Sequence, residues 1–132
     1  MLENCKIISL PTFSNDKGDL SFIESGNHIP FEIKRIYYLY SNNSNERGNH
    51  AHKNLYQLLI AVNGSFCVTL DDGYKKEDYL LDKPNEGLLI CPMIWRRLSN
   101  FSKNSVCLVL ASLEYSEDDY FRDYNVFIKN IN

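Results

Sequence analysis

With 132 residues, 44% of them hydrophobic and 13% aromatic, the chain can build one core with little room for a second, which excludes a disordered or multidomain protein. A formal net charge of −3 supplies no general basic field for nucleic acid or an anionic membrane, although a small anion needs only a few well-placed cations. The N-terminus, Met1-Leu2-Glu3-Asn4-Cys5-Lys6, lacks the basic and long apolar segments of a signal peptide, and no apolar run reaches membrane-spanning length. Cys5, Cys67, Cys91 and Cys107 sit singly without C-x-x-C spacing, which predicts buried free thiols and a cytoplasmic protein.

Taken in order, short apolar or alternating runs separated by turn residues predict strands over Cys5–Leu10, Leu20–Glu24 and Ile33–Tyr40, the first stopped by Pro11. Asn15-Asp16-Lys17-Gly18-Asp19 reads as a turn, and Ser41–Glu46 as a polar loop. Leu55–Val62 and Phe66–Leu70 flank Asn63-Gly64-Ser65, a hairpin signal. Strands over Tyr74–Leu81, Leu88–Cys91 and Val106–Ala111 follow, punctuated by Asp71-Asp72-Gly73 and Lys83-Pro84-Asn85-Glu86-Gly87. Only the end reads as helical. Ser116-Glu117-Asp118-Asp119 resembles a capping box, and Tyr120, Phe121, Tyr124, Phe127 and Ile128 recur at helical spacing. The expectation is one all-β domain over residues 1–132, a sandwich or small barrel with a short C-terminal helix.

The stretch that carries chemistry is Arg47-Gly48-Asn49-His50-Ala51-His52-Lys53, running on to Gln57. In a strand, residues two apart share a face, so His50 and His52 can point into one cavity. As a metal site the pattern is incomplete. Gln57 stands where a carboxylate ligand is wanted, and Trp95 stands where a histidine should follow the Gly87…Pro92 turn. Two neutral imidazoles alone hold a metal weakly, so acid–base chemistry is the stronger reading, with a structural hydrogen-bonding role as its bland competitor. In Ile33–Tyr40, period two places Arg35 and Tyr37 on one face, with Ile36, Tyr38 and Tyr40 on the other. In Trp95-Arg96-Arg97, alternation lets one arginine face inward. Arg97, which shares a face with Trp95, is the expected one, since the pair can stack on a base or sugar and hold a phosphate. Lys17 reads most simply as a surface charge.

The segment Arg47-Gly48-x-His50-Ala51-His52-Lys53, with Gln57 and Gly64, resembles the signature of the cupin-fold sugar-nucleotide 3,4-ketoisomerases. These are the dTDP-4-oxo-6-deoxyglucose isomerases of bacterial deoxyaminosugar synthesis, often called WxcM-like. Asp16-Lys17-Gly18-x-Leu20, Pro30-Phe31-x-Ile33-Lys34-Arg35-Ile36-Tyr37-Tyr38, Pro92-x-x-Trp95 and Asp118-Asp119-Tyr120-Phe121-Arg122-Asp123-Tyr124-x-x-Phe127 also resemble family segments. Lys17 departs from the arginine common at its position, keeping the cation but losing a bidentate phosphate contact.

The resemblance implies a jelly-roll cupin without metal or other cofactor, working as a homodimer whose subunits exchange N-terminal strands. Its substrate would be dTDP-4-oxo-6-deoxy-D-glucose, converted to a 3-oxo sugar of galacto or gluco configuration that a PLP aminotransferase then aminates. It further implies His52 as catalytic base, His50 as its neighbour and Tyr37, or else Tyr38, as proton shuttle. Arg47, Arg35, Lys17, Arg97, Gln57 and Trp95 would bind substrate. Two other functions compete. One is a non-catalytic sugar-nucleotide-binding cupin. The other is a 3,5-epimerase, which pairs its base with an aspartate; no acid lies within the histidine motif here.

Overall fold

The computed structural model describes residues 1–43 and 46–131. Two positions of the expected 41–46 loop therefore lie outside the described residues. The chain enters through a 3₁₀ turn at Leu2–Asn4 and continues as β1 (Lys6–Ser9), β2 (Thr12–Asn15), β3 (Gly18–Ser21), β4 (Arg35–Leu39), β5 (Arg47–His52) and β6 (Gln57–Asn63). There follow β7 (Phe66–Asp71), β8 (Lys76–Leu81), β9 (Glu86–Ile90), β10 (Trp95–Ser99), β11 (Val106–Ala111), a 3₁₀ turn at Glu117–Asp119, β12 (Tyr120–Phe121) and α1 (Tyr124–Lys129).

Two five-stranded antiparallel sheets, ordered β1-β9-β6-β11-β4 and β12-β5-β10-β7-β8, face each other as the sandwich expected from the strand pattern, in the jelly-roll form that the resemblance implied. The chain turns where the Asn63-Gly64 signal placed it, with Gly64 at φ +68°, a conformation that a side chain would strain. However, β6 and β7 lie in opposite sheets, so the turn is a corner between the sheets and not the expected hairpin. On β6, Gln57 and Leu59 face the cavity between the sheets, while Leu58 and Ile60 on the opposite face are buried too. A strand covered on both sides reads as a continuous apolar run rather than an alternation. The main core runs from Leu2 and Cys5 through β6, β7 and β9 to Leu110. All four cysteines are free, and Cys5, Cys91 and Cys107 are buried.

Two expectations need correction. The C-terminal helix starts seven residues later than the Ser116 box suggested. Asp123 caps it instead, its carboxylate accepting from the Asn125 and Val126 amides at 2.8 and 3.2 Å. The intervening Tyr120–Phe121 is a strand because it adds to the edge of β5, with Tyr120 opposite His52 and Phe121 opposite Ala51. Tertiary pairing overrides local helical spacing here. A second strand, β2, escaped notice. It pairs only with β3, in a hairpin whose residues are all exposed, so no burial pattern marks it.

The helix packs Phe127, fully buried, onto Ala51 and Phe121, against the face of the second sheet that points away from the cavity. That small second cluster ties the tail to β5 and so positions the wall of the site. In the first sheet the tightest approach is at Gly87, where a Cβ would meet Leu58 side-chain atoms at 2.7–2.9 Å. Gly87→Ala should therefore destabilise the chain by about 1–3 kcal/mol through overpacking. The reading is a lowered urea midpoint at unchanged m-value; an unchanged midpoint would show that Leu58 can move aside.

Candidate active site

Between the sheets lies a cavity of about 320 Å³. Strand β4 contributes Arg35, Tyr37 and Leu39 to it, while Ile36 and Tyr38 alternate outward and are about 60% exposed. The period-two expectation for this strand holds in placement, and it sets Tyr37 rather than Tyr38 in the cavity. From β5 come Arg47, Gly48 and His50, from β6 Gln57 and Leu59, and from the tail Tyr120 and Arg122. Among the described residues four arginines line the space (Arg35, Arg47, Arg96, Arg122) and no carboxylate does. Such a lining suits a multiply charged anion.

On β10 the alternation is as expected but its sense is reversed. Arg96 and Leu98 point into the cavity; Arg97 is exposed, donating to Glu46 Oε2 at 2.9 Å and to Thr69. Trp95 shares Arg97's face, and its indole packs on Tyr124 and Phe127 of the terminal helix. Neither Arg97 nor Trp95 reaches the cavity. Leu98 was the available signal, since an apolar residue two positions from Arg96 marks the buried face. Lys17 also stays away, at the tip of the exposed β2–β3 hairpin, its amide held by Asn15 Oδ1 at 2.8 Å.

Arg96 is almost wholly buried. It donates through Nη1 to Gln57 Oε1 at 2.5 Å and through Nη2 to the Ile94 carbonyl at 2.9 Å. Gln57 then donates from Nε2 to the Tyr37 hydroxyl oxygen at 2.9 Å. The direction of this chain is set by its first member. A guanidinium only donates, so the Gln57 amide must present its oxygen to Arg96 and its nitrogen to Tyr37. Tyr37 accepts from Gln57 and keeps its own O–H to donate elsewhere. Burial raises the Tyr37 pKa while the Arg96 charge opposes that shift. Burial pulls Arg96 itself down to about 10, which leaves it charged at neutral pH. Arg35 lies with its guanidinium 5.2 Å from the Tyr37 ring centre, and its buried Nε and Nη2 have no hydrogen-bond partner among the described residues.

The two imidazoles are wired alike but placed differently. His50 Nδ1 meets the Gly48 carbonyl at 2.8 Å, so Nδ1 carries the proton and Nε2 the lone pair. His50 lines the cavity; His52 is fully buried behind it, with the two rings edge-on at 4.8 Å. His52 Nδ1 meets Asp119 Oδ2 at 3.1 Å. The histidine motif itself contains no acid, as its sequence shows; the acid that accompanies His52 comes from 67 positions away. Tyr120 covers both imidazoles, at 5.0 and 4.3 Å between ring centres, and Arg122 lies over Tyr120 at 4.1 Å. Burial first, then the Arg96 charge, lowers the His50 pKa to about 4 and that of His52 to about 2. Both rings are neutral at physiological pH, so His52 and Asp119 form a neutral N–H to carboxylate bond rather than an ion pair.

Among the described residues no group of three or more His, Cys, Asp or Glu side chains converges to hold a metal. The donor set argues the same way, because Gln57 offers its amide oxygen to a buried guanidinium, whose charge opposes a cation at that spot.

These features define a cupin whose cavity is built for an anionic ligand and for proton transfer. The family model described as "FdtA: WxcM-like, C-terminal" matches residues 3–132, and the chain belongs to that family. A TDP-4-oxo-6-deoxy-alpha-D-glucose-3,4-oxoisomerase of Aneurinibacillus thermoaerophilus is 44% identical over 98% of this chain and 94% of its own. The structure of a histidine-to-asparagine variant of the 3,4-ketoisomerase QdtA from Thermoanaerobacterium thermosaccharolyticum, in complex with TDP-4-keto-6-deoxyglucose, is 38% identical. It superimposes with a TM-score of 0.95 over 98% of this chain and 94% of that one. The WlaRB TDP-quinovose 3,4-ketoisomerase of Campylobacter jejuni is 43% identical, with a TM-score of 0.93 over 97% and 99% of the two chains.

The imidazole pair also makes stability depend on pH. Each histidine titrates near 6.5 in the unfolded chain and lower when folded, so the unfolded state binds more protons between pH 6.5 and about 4, and stability rises with pH across that window. Acidification from pH 7 to 5 should cost up to about 2 kcal/mol per histidine. Urea melts across this range should show the loss, and His50→Asn or His52→Asn should each flatten the slope.

Proposed function

We propose that the protein is a TDP-sugar 3,4-ketoisomerase that converts dTDP-4-oxo-6-deoxy-D-glucose into a dTDP-3-oxo-6-deoxyhexose, with no metal in the proton transfers. The observation that carries this reading is the convergence, in one cavity without carboxylates, of a neutral imidazole acceptor, an oriented phenol and a buried guanidinium. The named activities of the relatives support the same reaction over simple binding or epimerisation.

Moving the carbonyl from C4 to C3 requires loss of the C3 proton and arrival of one at C4, with the opposite exchange at the oxygens. His50 lines the cavity and has its lone pair on Nε2; that nitrogen takes the C3 proton and, after exchange with solvent, delivers one to C4. The role implied for His52 passes to His50 because His52 lies behind it, without access to the cavity. Tyr37 donates its proton to O4 as the enediol forms, then regains one from O3 as it collapses. Arg96, with Tyr37, stabilises the negative charge that develops on the oxygens. Arg35 and Arg47 hold the diphosphate. The face on which C4 is reprotonated sets a galacto or gluco product, and the new ketone is a substrate for a PLP-dependent aminotransferase.

The working form is a homodimer, in the cytoplasm, with N-terminal arms exchanged. Phe13 and Leu20 on the hairpin are 68% and 58% exposed, and Ile36 and Tyr38 on β4, with Tyr40 just beyond it, present a matching apolar face. An arm laid across a second copy would bury this surface and carry Lys17 to the partner's cavity.

In heavy water the wild-type enzyme should place deuterium in the sugar ring. His50→Asn should cut that exchange by about 10²–10⁴-fold, whereas Tyr37→Phe should still exchange at C3 while forming little product. Retained exchange in His50→Asn would sink the base assignment. Mixing inactive Lys17→Glu subunits with inactive His50→Asn subunits should restore activity, because one site of each mixed dimer is then intact; no recovery after subunit exchange would rule the swapped arm out.

A further inference from the structure

The carboxylate of Asp119 occupies an unusual place for a surface-turn acid. It closes the 3₁₀ turn at Glu117–Asp119, directly before the two-residue strand that adds to β5, and it is buried. Both oxygens are engaged: Oδ1 accepts the Asn54 amide at 2.8 Å and Oδ2 meets His52 Nδ1 at 3.1 Å. Its backbone carbonyl also accepts the Lys53 amide at 2.8 Å. Asp119 therefore grips three consecutive residues, His52, Lys53 and Asn54, at the end of the strand that carries the imidazole pair. A buried carboxylate costs free energy unless its oxygens are satisfied, and here one of the two is satisfied by a side chain of that pair.

We infer that Asp119 is a positioning residue for the isomerisation: it holds His52 in the Nδ1–H tautomer and, through the edge contact of the rings, keeps His50 aligned as the proton acceptor. The inference rests on the ketoisomerase reading for its kinetic part and on the hydrogen-bond geometry alone for its tautomer. An ionised carboxylate can only accept, so it forces the proton onto Nδ1 and leaves the lone pair on Nε2. His52 Nε2 is buried without a hydrogen-bond partner among the described residues, as is His50 Nε2. Two imidazoles with matched lone pairs, one at the cavity and one behind it, leave no N–H of the deeper ring to donate to the lone pair with which the outer ring collects a proton. Asp119 also sets a negative charge beside the pair, amid the cationic field of Arg96, Arg35 and Arg122, where a proton arriving during turnover must be tolerated.

Asp119→Asn tests this at nearly constant shape. An amide has one acceptor and one donor end. With its oxygen kept by the Asn54 amide, its NH₂ faces His52 and forces the imidazole to accept at Nδ1, moving the proton to Nε2. Nitrogen-15 NMR should report Nδ1-protonated His52 in the wild type and Nε2-protonated His52 in the variant. The variant should lose at least about tenfold in kcat, as expected for a mis-set tautomer, with KM little changed. A folded Asp119→Asn with wild-type kcat overturns the inference, and so does a slowed variant whose His52 keeps the Nδ1 proton. Should the variant not fold, the wild-type spectrum still decides: a proton on His52 Nε2 would refute it. Absence of turnover by the wild type would instead count against the proposed function and leave the tautomer assignment standing.

Discussion

The buried positive charge of Arg96 is the constraint on which the site depends. A guanidinium removed from water needs compensation, and here it comes from a side-chain amide and a main-chain carbonyl rather than from a carboxylate. Because the compensation is neutral, the charge remains available to the cavity. It orients Gln57, and Gln57 in turn makes Tyr37 an acceptor on one side and a donor on the other. The same charge, added to burial, keeps both imidazoles neutral and able to accept protons. One cation thereby orients a phenol and, second to burial, helps to keep two histidines neutral. In the proposed reaction it would stabilise the charge that accumulates when a proton leaves carbon next to a carbonyl.

The tail of the chain completes what Arg96 begins. The stretch from Tyr115 to Phe127 crosses the outside of β5, seals it with Phe121 and Phe127, and turns Tyr120 over the histidine rings. Arg122 is clasped by both oxygens of Glu117 and laid on Tyr120. That clasp is exposed, so its contribution to stability is small; its effect is to hold an arginine at the cavity rim. The β2–β3 hairpin is the opposite case. Phe13 and Leu20 stay largely exposed among the described residues, and its cation, Lys17, does not line the cavity. Its form suits a surface that is completed by association.

Much of this was legible in the chain itself. The alternation along Arg35–Leu39, the His-x-His pair, the Asn63-Gly64 turn and the long apolar run of β6 are local patterns, and strand period and turn chemistry are local physics. They predicted a β-sandwich or small barrel and put Arg35 and Tyr37 on one face. The sequence argument against a metal site rested on Gln57 and Trp95 standing where ligands are wanted; in the fold Gln57 is engaged by Arg96 and Trp95 by the terminal helix. Family resemblance added the reaction, and the similarity to known ketoisomerases agrees with it.

What the sequence by itself determined was thus which residues alternate together and which chemistry they can perform. Which of two alternating faces looks inward was decided only by the fold. Trp95 and Arg97 share a face as spacing requires, but the terminal helix docks on that face and claims the indole, leaving Arg96 for the cavity. The order of the two histidines, one at the cavity and one behind it, depends on the packing of Tyr120 and the grip of Asp119 across 67 positions. Asp119 itself looked like a helix cap, because local spacing carries no information about a partner strand. Contacts between residues distant in sequence arise from burial and pairing in the assembled sheets, and only the tertiary structure could turn a lone aspartate into the anchor of a histidine.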